Sequence, residues 1–296
     1  MRIKAVVKAI RGDEELKFYY LSKLGRFDKM NDEEYLKRLF KIKLGYDLDF
    51  FNPVTFNEKL QWLKVYDRNP QYTNLVDKYE AKSVVGKIIG SEYIVKTYGV
   101  WDSFEDIDFD KLPNSFVIKC THDSGGVVVV KDKSKMKIKA IKKRINKSLK
   151  KNYFYWSREW PYKNIKPRII IEEFLGENIP DYKLMCFNGK VKCSFVCSER
   201  NCNQELKVTF YDRNWNKMPF ERHYKSSDNE IPCPKNYEKM IELAEKLSAG
   251  IRFVRVDFYE VEGELYFGEM TFYPGSGWEE FSSYEWDKKL GDWIEL

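Results

Sequence analysis

Two pairs of apolar, β-rich runs, each closed by a two-residue turn, most limit what this chain can fold into. Tyr182 to Phe187 and Lys190 to Val196 flank Asn188-Gly189, while Phe253 to Tyr259 and Leu265 to Thr271 are joined through Glu262-Gly263. Asn-Gly between alternating apolar runs is the strongest short-range signal for an antiparallel hairpin. A third hairpin is expected from Phe116-Val117-Ile118-Lys119-Cys120 and Val127 to Val130, with a Gly-Gly loop between them. Arg168 to Phe174 contains Ile169-Ile170-Ile171, a continuous apolar run of the kind found in strands buried on both faces. Further strands are expected at Tyr93 to Val100 and Val208 to Tyr211. Pairing of this kind makes the chain α+β rather than a parallel α/β protein.

Helical signals fill the remainder. Leu36, Leu39, Phe40 and Ile42 to Leu44 describe a helix ending near Gly45, and Thr55-Phe56-Asn57-Glu58 is a capping box opening a helix from Phe56 to Tyr66. Asp77-Lys78-Tyr79-Glu80 starts another that stops around Gly86 to Gly90, and a further helix runs from Tyr237 to Ala249. The most basic stretch, Lys131 to Lys151, carries Met136, Ile138, Ile141, Ile145 and Leu149 at helical spacing, so its lysines coat the solvent side of a surface helix. The expected organisation is a helical segment over 1–76, a first lobe over 77–167 and a second over 168–296.

At 296 residues and 43% hydrophobic, the chain can fill one large or two modest domains. Aromatics at 16% argue against disorder, and a net charge of +6 from 52 basic and 46 acidic residues describes a mixed surface with no nucleic-acid arm. No apolar run reaches the ~20 residues of a membrane helix, and the start MRIKAVVKAIRGDEE lacks a secretory signal, so a cytoplasmic protein is expected. Cys120, Cys186, Cys193, Cys197, Cys202 and Cys233 match neither a zinc knuckle nor a disulfide scaffold and are read as free thiols.

The last hairpin carries the clearest chemistry. Val254-Arg255-Val256-Asp257-Phe258 and Gly268-Glu269-Met270-Thr271 set charged groups inside apolar strands, where leaving them unpaired is costly. Arg255 and Asp257 share one strand face, as do Glu269 and Thr271, so four polar groups can converge. Acid oxygens beside an arginine suit Mg2+ that also holds phosphates, and they equally suit a structural ion pair. Lys119 ends a strand and precedes Thr121-His122-Asp123-Ser124-Gly125-Gly126, a loop whose backbone N–H groups can close over phosphates or form an ordinary turn. It lacks the spacing of a P-loop. At Ile171-Glu172-Glu173-Phe174-Leu175-Gly176 a buried strand runs out into a linker, and backbone groups at such an exit can read an adenine edge. With only His122 and His223 present, no convincing Ser-His-Asp or Cys-His grouping exists.

In order, Asp77-Lys78, Phe116 to Lys119 with its glycine loop, Ile171 to Leu175, Arg255-Val256-Asp257 and Glu269-Met270-Thr271 to Pro274-Gly275 resemble the ATP-grasp ligases. Thr55 to Trp62, Tyr66 to Pro70, Val100 to Phe104, Arg158 to Tyr162 and Thr271 to Gly277 resemble the TupA-like branch more closely, and the likeness runs from about Leu39 to the end. That branch is associated with teichuronopeptide and bacterial capsule or cell-surface polysaccharide synthesis.

The resemblance implies an ATP-grasp fold of two lobes with antiparallel sheets behind a helical amino-terminal segment. It implies ATP and Mg2+ as cofactors, and a carboxylate and an amine as substrates, either of them small or glycan-linked. Peripheral contact with a membrane-bound glycan is compatible with it. Lys78 and Lys119 match the phosphate lysines, and His122, Ser124, Gly125 and Gly126 the flap that closes over them. Glu172, Glu173 and Leu175 match the adenine hinge, with Asp181 at the ribose and Lys183 at a phosphate or elsewhere on the nucleotide. Asp257 and Glu269 match the magnesium carboxylates, with Thr271 where many relatives have asparagine, and Arg255 matches the arginine that steadies an acyl phosphate. A glycosyltransferase of the same pathway, an ATP-grasp phosphotransferase and a non-catalytic ATP-binding protein are the alternatives.

Overall fold

The computed structural model describes residues 12–198 and 206–296. Cys202 and the first residues of the amino-terminal segment lie outside the described residues; the other five cysteines are unbridged.

Helices come first: α1 Glu14–Lys23, α2 Asp32–Leu44, α3 Phe56–Tyr66, α4 Gln71–Val76 and α5 Glu80–Ile89. α2 stops where Gly45 turns left-handed at φ 81°, the conformation a residue without Cβ takes most cheaply at a helix end. α3 opens with the full capping box: Thr55 Oγ1 accepts from Glu58 N at 3.2 Å, and the Glu58 carboxylate accepts from Thr55 N at 2.8 Å. α1 and α2 share a core of Phe18, Tyr35, Leu36, Leu39 and Phe40. α3, α4 and α5 instead turn Phe56, Leu60, Tyr72 and Val85 into the larger core beneath the second sheet, where full burial of such a side chain contributes roughly 1.5–3 kcal/mol.

The first sheet comprises β1 Thr97–Trp101, β2 Phe116–Cys120, β3 Val128–Val130 and β4 Ile169–Glu172 in the order β1-β4-β2-β3, with antiparallel pairing throughout. β4 lies between two strands, and its three isoleucines are fully buried, which accounts for a run without polar alternation. α6 Ile138–Leu149 seals the sheet through Ile145. The helix is shorter than its basic stretch, because Asp132 accepts from Ser134 N and turns Lys133–Lys135 into a 3-10 turn. The short α7, Phe154–Ser157, follows. The strand expected from Tyr93 begins only at Thr97; Ser91–Tyr93 form a 3-10 turn.

The second sheet has β5 Asp181–Phe187, β6 Lys190–Ser198, β7 Lys207–Asp212, β8 Phe253–Val261 and β9 Glu264–Thr271 in the order β7-β6-β5-β8-β9, again antiparallel. Both two-residue turns take the expected form, with φ of 48° and 78° at Asn188 and Gly189 and 54° and 88° at Glu262 and Gly263. α8 Tyr237–Leu247 packs Met240, Leu243 and Ala244 under this sheet. α9 Tyr284–Asp292 docks on α3, where Asp287 accepts from Asn57 N and Nδ2, both at 3.0 Å. The architecture is α+β, two antiparallel sheets behind a helical amino-terminal segment. No helix among the described residues is long and apolar enough to cross a membrane.

Candidate functional site

A cavity of about 410 Å3 is lined by residues of both sheets and by α5. Its charged wall is built from the β8–β9 hairpin. Arg255 pairs with Thr271 and Val256 with Met270, but the register then slips before Phe258 meets Phe267, so Gly268 and Glu269 together face Asp257. Gly268 permits this approach, since a Cβ there would lie 3.1 Å from the Asp257 carbonyl oxygen.

Arg255 gathers the group. Its Nε donates to Asp257 Oδ1 at 2.6 Å, and one terminal nitrogen donates to Asp257 Oδ2 at 2.7 Å, Glu269 Oε1 at 2.9 Å and Thr271 Oγ1 at 2.9 Å. Lys183, directly across from Asp257 on β5, pairs with Asp257 Oδ2 and also with Asp181 at 2.9 Å. Burial alone would raise the Asp257 carboxyl, but Arg255 and Lys183 outweigh it and hold the group below its ordinary value. Conversely, burial would lower Arg255 and Lys183, and the facing acids raise both. The convergence expected from strand alternation is present, with Lys183 and Asp181 joined to it.

A second acid sits at the end of β4. Glu172, 4% exposed, is ion-paired with Lys119 on β2 at 2.6 Å and with Lys82 on α5 at 2.5 Å. Burial would raise its carboxyl, and the two lysines bring it below the usual carboxylate value. Lys82 also donates to Val95 O at 2.6 Å. Sequence reasoning missed Lys82, which meets Glu172 only once α5 and the end of β4 are brought together in the fold. Glu173 and Leu175 line the cavity beside Glu172, and the Glu173 backbone N–H already donates to Lys96 O at 2.9 Å.

The glycine loop packs away from this wall. Lys78 lines the cavity and its ammonium donates to Asp123 O, while the Asp123 carboxylate accepts from Ser148 on α6. His122 is buried with Nε2 3.2 Å from Ser148 O, and burial pushes its pKa down. Ser124 and Gly125 are exposed at the loop tip, Arg144 donates to Gly125 O at 3.2 Å, and Gly126 is half-buried. Val127 and Val129 form the cavity wall on this side. Beyond β9, Trp278 lies against the Lys64 ammonium, 4.1 Å from the ring centroid.

Asp257, Glu269 and the Thr271 hydroxyl can hold a cation only as a partial set, for no group of three acidic, histidine or cysteine residues suited to a metal occurs among the described residues. Such a set fits Mg2+, which is commonly held by one or two carboxylates together with substrate phosphates. The lysines at Lys78, Lys119 and Lys183 suit those phosphates as point charges.

Fold and cleft define an ATP-grasp protein. Residues 58–295 match the family model described as TupA-like ATPgrasp, and the chain belongs to that family. Among solved structures it is similar to D-alanine-D-alanine ligase from Helicobacter pylori, with 18% identity and a TM-score of 0.42 over 79% of this chain and 66% of that one. It is also similar to L-amino acid ligase from Bacillus licheniformis, with 15% identity and a TM-score of 0.48 over 84% of this chain and 57% of that one. The matched region thus spans somewhat over half the length of those structures. Comparison with curated proteins gives no match.

Proposed function

We propose that this chain is an ATP-dependent carboxylate–amine ligase acting in bacterial cell-surface or capsular polysaccharide synthesis. The observation that carries the reading is that, in a TupA-like ATP-grasp chain, one cavity joins Lys78, Lys119 and Lys183 to Asp257 and Glu269. In the proposed reaction a carboxylate oxygen attacks the γ-phosphorus of ATP, the bond to the bridging oxygen breaks, and ADP leaves. An amine nitrogen then attacks the acyl carbon, the carbon–oxygen bond to phosphate breaks, and the amine proton is lost to solvent.

The first sheet, which includes β4 up to Glu172, and the second sheet from β5 onward act as the two lobes, so the boundary falls after Glu172 and not at 167. Lys78, Lys119 and Lys183 bind and orient the phosphates, with His122, Ser124, Gly125 and Gly126 in the loop that closes over them. Glu172, Glu173 and Leu175 receive the adenine, and Asp181 the ribose. Asp257 and Glu269, with Thr271 alongside, would hold Mg2+, which supplies charge neutralisation and fixed geometry when bound. Arg255 steadies the charge on the transferred phosphoryl group, and no covalent nucleophile on the protein is needed.

The test is ADP release with Mg2+ and hydroxylamine across a panel of uronic acids and amino acids, on wild type and Glu269→Ala. Acid-dependent ADP release with a trapped hydroxamate is expected, falling at least about 100-fold in the variant. Turnover of a nucleotide sugar without ATP binding would put a glycosyltransferase in its place, and phosphorylation of an alcohol a phosphotransferase.

A further inference from the structure

The Glu172 carboxylate is held by two cations that are tied down differently. Lys119 is the more exposed of the pair, 25% against 13%, and among the described residues its ion-pair partner is Glu172. Lys82 is fastened twice, to Glu172 Oε1 and to the Val95 carbonyl that leads into β1. An anionic ligand reaching the cavity draws off the looser lysine. Lys119 then turns to phosphate, Glu172 Oε2 is left facing the cavity, and Lys82 remains.

We propose that Lys82 is a positioning residue: it keeps Glu172 as a fixed anionic acceptor in the cleft, so that the site selects a purine carrying an exocyclic amine over one carrying a carbonyl there. The inference rests on the nucleotide reading of the cleft given above. An ionised carboxylate accepts a hydrogen bond from the amine of adenine and presents only lone pairs to a carbonyl oxygen. A site built around one buried hydrogen bond rejects the analogue that cannot make it far more strongly than an apolar pocket does.

The groups facing Glu172 are Lys82 from α5, Lys119 from β2 and Tyr259 from β8, with Glu173 next to it in the chain. Once Lys119 serves the phosphates, Lys82 is the cation that offsets burial. Without it the carboxyl takes up a proton, and a carboxylic acid donates to a carbonyl as readily as it accepts from an amine.

The experiment measures Kd for ATP and for ITP, which has a carbonyl in place of the amine, on the full chain with Mg2+ from pH 6 to 9. Wild type, Lys82→Met, Lys82→Gln and Lys82→Arg are compared. Wild type is expected to prefer ATP at least about 100-fold. The two neutral variants should lose about tenfold or more of that preference at pH 7 and regain it as pH rises and Glu172 ionises, while Lys82→Arg keeps it. Equal weakening of both nucleotides in the neutral variants overturns the proposal and leaves Lys82 a structural residue. A wild type that binds ATP and ITP alike also overturns it, without recourse to any variant. A wild type that binds neither removes the nucleotide reading itself, a result separable from the other two.

Discussion

Two of the buried acids in the cleft, Asp257 and Glu172, are each held by two cations, and the clusters are built differently. Asp257 is gripped from its own strand by Arg255, two residues away, and by Lys183 directly opposite in register, so antiparallel geometry alone brings the three together. Glu172 is met by Lys119 from a neighbouring strand and by Lys82 from a helix about 90 residues distant in sequence. In the first cluster a planar guanidinium engages both carboxylate oxygens; in the second, two flexible ammonium groups take one oxygen each. The rigid pair suits the end of the site where charge must be fixed. The looser one suits exchange, in which one lysine leaves for a ligand while the other stays.

Breaking the rigid cluster should have the largest effect. Asp257→Asn leaves Arg255 and Lys183 short of a buried counter-charge, although Arg255 keeps Glu269 and Lys183 keeps Asp181. A loss of about 3 kcal/mol in urea unfolding is expected, the low end for breaking a buried pair, together with ADP release reduced at least about 100-fold. Because the folded Asp257 carboxyl lies below its ordinary value, its contribution is complete above about pH 4 and is lost as pH falls through the depressed value, so the stability gap between wild type and variant should close in acid. A gap independent of pH below 4 would mean that the pair is not what stabilises the hairpin.

Loosening the second cluster should matter less and in a divided way. Lys119→Met removes the proposed phosphate ligand, for which an ATP affinity about 10- to 100-fold weaker is expected, since a hydrogen bond to a charged group contributes about 1.5–3 kcal/mol. The ATP-to-ITP ratio should stay unchanged, because Lys82 still holds Glu172. Isothermal titration with both nucleotides separates the two lysines. Loss of the ratio in Lys119→Met would assign to Lys119 the work ascribed here to Lys82.

The same contrast explains what could be read from sequence. Strand alternation, Asn188-Gly189 and Glu262-Gly263 are local signals, and they located β5, β6, β8 and β9 and the facing Arg255, Asp257, Glu269 and Thr271 before any coordinates. The capping box at Thr55 did the same for α3. Lys82 carries no such local mark, because its role depends on how α5 packs beside β4. Neither does α9, whose anchor is the buried Asp287 against Asn57, a contact across 230 residues.

Lys64 supplies the smallest effect and a control for both clusters. It is fully buried and donates to Ser276 O at 2.8 Å and Gln61 Oε1 at 2.9 Å, with Glu159 nearby accepting from Ser276 Oγ at 2.6 Å. Burial pushes the Lys64 ammonium down to about 7, a pull that Glu159 only partly offsets. Between that value and the ordinary 10.5 the unfolded chain holds a proton the folded chain has released, so stability should rise with pH across this window. Lys64→Met has no such group and should lack the rise. Urea midpoints at pH 6, 8 and 10 should therefore show the difference moving in favour of wild type as pH increases, with the ATP-to-ITP ratio of the variant unchanged. A constant difference would mean that Glu159 keeps Lys64 charged throughout, and the pair would then resemble Asp257 and Arg255 in electrostatics while standing outside the cavity wall.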